Sequence, residues 1–140
     1  ACAGYAGRDV VARARKLGVE NSVRMLGWRN DLPEIMSCSD WFILPNPEQP
    51  VEGFGLAVGE AQLAGLRMLL SRGVLDDPLL STASFRRLPL AEPKVWARAA
   101  MELLVGPSPS RADAMAALRV SPMDMDVALS LLCPLHRVDG

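Results

Sequence analysis

Residues 41–45, Trp-Phe-Ile-Leu-Pro, constrain this chain more than any other stretch. Four consecutive large apolar side chains with no polar alternation leave neither face suited to water. A strand made of them belongs in a parallel sheet covered on both sides, closed here by Pro45. Parallel neighbours need crossover connections, usually helical, and the flanking sequence supplies them. Val10, Ala14 and Leu17 recur at i, i+4 and i+7 ahead of Gly18, which predicts an amphipathic helix over 9–17. A short strand over 22–26 ends at Gly27, and Asp31-Leu-Pro-Glu34 has the D-x-x-E spacing of a capping box, starting a second helix that runs to about Ser37.

Beyond Pro45, residues 46–53 read as a loop, and 55–64 as an apolar helix stopped by Gly65. Met68-Leu-Leu70 is another buried strand. A loop over 72–84 leads to a weaker strand at 85–88, and a helix over 94–105 places Trp96, Ala99, Ala100, Leu103 and Leu104 on one face. This alternation predicts an α/β fold, a Rossmann-like doubly wound parallel sheet over residues 1–105, with ligands bound outside the carboxyl ends of the strands. Residues 106–140 differ in character: a Gly-Pro-Ser-Pro-Ser linker, then two short helices with caps at Ser110-x-x-Asp113 and Ser121-Pro-x-Asp124. Ala128, Leu131 and Leu132 form an apolar stripe in this helical tail, which Pro134 ends.

At 140 residues the chain has the size of one compact domain, and half its residues are apolar, which excludes a disordered or fibrous class. Fifteen basic against sixteen acidic residues leave a net charge of −1, which argues against nucleic acid as a partner. The charge is uneven, +4 over residues 1–30 and −5 over the remainder; this suits an anionic partner at the amino end, and equally a solvated basic helix face. Cys2, Cys38 and Cys133 are odd in number and far apart, so they build neither a disulfide framework nor a zinc site, and a reducing, cytoplasmic setting is expected. No apolar run reaches the 18 residues of a membrane span. The chain opens on Ala1, and its first residues read as a loop leaving an element that is not there, so a fragment is expected.

Chemistry concentrates in Glu52-Gly-Phe-Gly-Leu-Ala-Val-Gly-Glu60, which crosses from the loop into the following helix. Gly53 and Gly55 allow the backbone to approach a ligand, and the free N–H groups and positive dipole of a helix start favour an anion such as a diphosphate. Glu52 stands in the loop beside that anion. Glu60, more than a turn inside an apolar helix, is costly there unless hydrogen-bonded, and its two oxygens match the vicinal hydroxyls of a ribose. By spacing alone the same residues fit equally a solvated loop Glu, a Glu tied to an Arg, and glycines that serve only a turn. Other acids and the one histidine carry less: Asp124-Met-Asp126 falls where acids suit a helix start, and His136 has no nucleophile or carboxylate constellation around it. Gly4-x-x-Gly7 lacks the full dinucleotide fingerprint, and no metal-ligand set is expected.

Leu17-Gly18, Leu26-Gly27-Trp28, Asp31 to Glu34, Phe42 to Pro45, Glu52-Gly-Phe-Gly55 and Glu60-Ala-Gln-Leu-Ala-Gly65 follow one another in an order and spacing that resembles the C-terminal, donor-binding domain of the retaining GT-B glycosyltransferases, the large family-four group. Glu60-Ala61-Gln62, Leu88-Pro-Leu90 and Trp96 are similar to its capsule and exopolysaccharide branch. The resemblance implies a site for a nucleoside-diphosphate sugar, with Glu52, Gly53, Phe54 and Gly55 on the donor sugar and diphosphate, Glu60 on the ribose, and Trp28 and Arg29 bordering the base. It implies retention, no required metal or other cofactor, and a glycan or lipid-linked acceptor held by an N-terminal domain outside this chain. It also implies a cytoplasmic enzyme without a membrane span, suited to peripheral membrane association, and a tail like the closing helix that crosses back to the other domain. Arg67, where the family commonly has Pro, and Gly59, where a larger aliphatic is usual, depart from the pattern. A second reading is a truncated, non-catalytic nucleotide-binding or protein-interaction module.

Overall fold

The computed structural model describes residues 2–3, 8–47, 55–90 and 92–132. It divides into two compact units, Ala1–Glu34 and Ile35–Gly140. In the first, β1 (Cys2–Ala3) pairs in parallel with β2 (Met25–Gly27). Between them runs α1 (Arg8–Lys16), whose Ala14 is buried and whose end is turned by Gly18 at φ +66°. The strand expected over 22–26 starts later, at Met25. Glu20–Ser22 form a 3₁₀ turn closed by bonds from Ser22 N to Val19 O (2.9 Å) and from Val23 N to Glu20 O (3.3 Å). Polar residues with no apolar face to bury close on themselves more readily than they join a sheet.

The second unit is built on a three-stranded parallel sheet in the order β3 (Trp41–Leu44), β4 (Arg67–Ser71), β5 (Phe85–Leu88), with Leu44 opposite Leu70 and Leu70 opposite Arg87. It follows α2 (Leu32–Ser37) in the chain. Side chains alternate across β4. Met68 and Leu70 join Val58, Ala61, Leu66 and Val74 under α3 (Leu56–Leu63), whereas Leu69 packs with Ala99 and Leu103 of α4 (Pro93–Val105) on the opposite face. Helices on both faces of a parallel sheet make the doubly wound arrangement.

Two apolar positions differ from expectation. Ile43 is 53% exposed, because β3 is an edge strand of this sheet and α4 covers it at Trp41 and not at Ile43. Beside it lies a largely apolar recess of about 370 Å³ lined by Ile43, Pro45, Leu69, Leu90, Trp96 and Ala100. Leu104 is likewise exposed: the inner face of α4 is Trp96, Ala99, Ala100 and Leu103. Trp96 satisfies its indole N–H on the Pro89 carbonyl, 3.0 Å away.

In the tail, α5 (Arg111–Arg119) packs on α3 and is capped by Ser110, whose hydroxyl accepts from Asp113 N at 3.2 Å. The expected Ser121 cap is not what opens α6 (Met125–Leu132). The Ser121 hydroxyl donates back to Leu118 O (2.8 Å), and the Asp124 carboxylate accepts from Asp126 N (3.0 Å) and Val127 N (3.3 Å). The Asp124-Met-Asp126 motif is thus a helix cap. Leu131 and Leu129 on α6 are exposed; Pro134 and His136 lie outside the described residues. Arg67 explains its departure from proline by anchoring the linker: Nε donates to Leu103 O (3.1 Å), and Nη2 to Gly106 O (3.3 Å) and Ser108 Oγ (2.9 Å).

Two glycines should respond in opposite directions. A Cβ on Gly59 meets nothing within 4 Å and its φ is ordinary, so Gly59→Ala is expected to stabilise by ~0.5–1 kcal/mol through helix propensity. Gly65, at φ +76°, would place a Cβ 2.8 Å from Arg111 Cγ, so Gly65→Ala should destabilise by more than ~1 kcal/mol. Urea midpoints of the two variants check both signs.

Candidate functional site

The connection from β3 to α3 leaves the carboxyl edge of the sheet, so α3 begins where ligands bind in this architecture. Gly55 is the N-cap of α3 and lies in the left-handed region (φ +64°, ψ +51°), a conformation a residue with a Cβ adopts only under strain. Among the described residues no side chain caps this helix. The Gly55 carbonyl accepts from Val58 N at 2.8 Å, and the N–H groups of Leu56 and Ala57 have no partner among the described residues. An uncapped start of this kind presents donors and a positive dipole end to an anion. Glu52, Gly53 and Phe54 lie outside the described residues.

Glu60 sits one turn further along α3 and is exposed, which corrects the expectation of a carboxylate buried in an apolar helix. Val58, Ala61 and Gln62 take the inward positions, and that leaves Glu60 on the solvent side. Its carboxylate has no hydrogen bond or ion pair among the described residues, so no described arginine is tied to it. Gly55 and Glu60 do not line the apolar recess beside Ile43, which is a separate feature.

Several polar contacts hold the segments around this edge, and none of them was legible in the sequence. Gln62, 4% exposed, donates to Val58 O (3.1 Å) and Pro78 O (2.7 Å) and accepts from Leu80 N (2.7 Å), which fastens residues 78–80 to α3. Arg87 on β5 pairs with Asp76 at 2.7 Å, reaches the Leu75 carbonyl at 3.4 Å and lies 5.9 Å from the centre of the Phe85 ring. Ser71, wholly buried at the end of β4, donates its hydroxyl to Asn46 O at 2.6 Å.

In the first unit, Trp28 is 84% exposed directly after β2. Arg29 meets Asp31 in a two-pronged pair, Nε to Oδ1 at 2.7 Å and Nη2 to Oδ2. The pair holds the guanidinium in one orientation. The hydrogen bond from Arg29 is the main cause that holds the Asp31 carboxyl below its usual range, and the same bond raises Arg29. Among the described residues no three His, Cys, Asp or Glu side chains are grouped to hold a metal ion, and no helix is long and apolar enough to cross a membrane.

Comparison with known proteins agrees with this architecture. The family described as "Glycosyl transferases group 1" matches residues 2–105. Over 55 residues the chain is 42% identical to the UDP-Gal:alpha-D-GlcNAc-diphosphoundecaprenol alpha-1,3-galactosyltransferase of Escherichia coli, a match covering 39% of this chain and 13% of that protein. The crystal structure of WaaG, a glycosyltransferase involved in lipopolysaccharide biosynthesis, superposes with a TM-score of 0.60 at 22% identity, over 98% of this chain and 33% of WaaG. The chain therefore belongs to the group 1 glycosyl transferases, and its fold is a Rossmann-like part of the GT-B architecture. It spans a third or less of the length of both relatives.

Because the carboxyl of Asp31 is depressed in the fold, its pair contributes stability above the unfolded carboxylate value, and the contribution is lost as pH falls through the lower folded value. Both groups are at the surface, so the effect on the melting curve should be small. A carbon-detected NMR titration should find Asp31 below the ordinary carboxylate range, and Arg29→Gln should return it upward.

Proposed function

We propose that this chain carries the donor site of a glycosyltransferase, which takes a sugar from a nucleoside diphosphate and passes it to a polysaccharide or glycolipid acceptor with retention of configuration. The observation that carries the reading is Glu60: a carboxylate with no partner among the described residues, one turn from an uncapped, glycine-started helix at the carboxyl edge of a parallel sheet. In this reading the diphosphate lies against the N–H groups at the start of α3, next to Gly55, with Glu52, Gly53 and Phe54 completing the contacts to donor sugar and diphosphate. Glu60 accepts from the ribose hydroxyls.

The chemistry asked of these groups is electrostatic. Fixed N–H donors and the helix dipole stabilise charge that develops on the diphosphate as the glycosidic bond breaks, and they need no reorganisation at that moment. Residues 1–105 form the donor-binding part and 106–140 the linker and closing helices. The acceptor is held by sequence outside this chain, in keeping with the share of each relative that it spans. The names of those relatives, one using UDP-Gal with a lipid diphosphate acceptor and one acting in lipopolysaccharide synthesis, support a UDP-sugar donor and a lipid-linked acceptor. Glu60-Ala61-Gln62 and Trp96 favour the capsule and exopolysaccharide branch.

Calorimetric titration with UDP, GDP and ADP tests the site. One diphosphate is expected to bind, and Glu60→Ala should weaken it at least about tenfold, since a hydrogen bond to a charged group contributes ~1.5–3 kcal/mol. A folded protein that binds none of the three would instead favour the interaction-module reading, for which the exposed Leu129 and Leu131 of α6 offer a surface.

A further inference from the structure

Among the first two described residues to leave each of β3, β4 and β5, and the three that open α3, Arg72 alone is charged. It follows the central strand, β4, at the carboxyl edge. The Ser71 carbonyl accepts from Val74 N at 3.2 Å, which closes a tight turn with Arg72 and Gly73 between them. Val74, 1% exposed, belongs to the same buried cluster as Val58 in the first turn of α3, so the turn is seated in the core that the start of α3 covers. Its backbone is held, whereas the Arg72 side chain is exposed and has no hydrogen bond or ion pair among the described residues.

A nucleoside diphosphate at this edge brings its negative charge close to Glu60, an exposed carboxylate one turn into the same helix. The end of a helix offsets only about half an elementary charge. A guanidinium offers a full charge and a planar fork of N–H donors that matches phosphate oxygens. We infer that Arg72 is a binding residue for the nucleoside diphosphate: from the turn after β4 its guanidinium donates to phosphate oxygens and supplies the counter-charge that the start of α3 lacks. The inference deepens the donor-site reading above and rests on it.

The test measures calorimetric affinities for UDP, GDP and ADP at low and at high salt, on the unmodified protein, Arg72→Ala, Arg72→Lys and Arg98→Ala. The last removes an exposed cation from α4, on the face of the sheet opposite α3. Arg72→Ala is expected to weaken the diphosphate that binds about tenfold at low salt, and by less at high salt, where ions screen the attraction. Arg72→Lys keeps the charge and loses the fork, so its affinity should fall between those of Arg72→Ala and the unmodified protein. Arg98→Ala should stay within about twofold, because its charge lies away from the ligand. A loss in Arg72→Ala that is the same at both salt concentrations, or that Arg98→Ala matches, overturns the phosphate contact. Unchanged affinity in Arg72→Ala overturns it too, and the donor site then stands without Arg72. An unmodified protein that binds none of the diphosphates overturns the donor-site reading and the role of Arg72 with it.

Discussion

The burial of β4 on both of its faces is the constraint on which the larger unit depends. Met68, Leu69 and Leu70 are almost wholly removed from water, alternating between the cluster beneath α3 and the cluster beneath α4. At ~25 cal/mol per Å² of apolar surface, each such side chain contributes on the order of 1.5–3 kcal/mol, and it does so only if a helix stands on each side. That requirement fixes α3 and α4 against the same strand. It also places the start of α3 at the carboxyl edge of the sheet.

Polar side chains then decide how the edge is finished. Gln62, Ser71 and the Arg87–Asp76 pair each join segments that the backbone ladders do not reach, and Arg67 does the same at the opposite end with the carbonyls that close α4. The amide of Gln62 has both its donor and acceptor sides satisfied, which is the condition under which a buried amide stabilises a fold instead of weakening it. Arg87 Nε is an exception, buried without a partner among the described residues. The guanidinium's other nitrogens are engaged on Asp76 and Leu75, so the same side chain that ties the segment after β4 to β5 carries one unmet donor.

The helices and strands were legible because their signals are local. Leu17-Gly18, the Ser110 cap and the Asp124 cluster act within a few residues of themselves, and uncharged runs such as 41–44 have few places to go but a sheet interior. The misreadings at Ile43 and Leu104 share one cause. Whether Ile43 or Leu104 is covered depends on how far α4 reaches across the sheet, and whether Ser121 or Asp124 caps α6 depends on where α5 stops.

Glu60 and Gln62 mark the division most sharply. The sequence alone determined, from residue type and spacing, that 55–64 is a helix starting at a glycine, and its family resemblance implied a nucleotide-sugar site with Glu52 and Glu60. It could not determine which of the two polar residues faces inward, because α3 is apolar nearly all round and its own periodicity selects no face. The tertiary structure decided it. Partners for Gln62 arrive from Pro78 and Leu80, 16 and 18 residues away, so the amide turns in and the carboxylate of Glu60 is left on the solvent side.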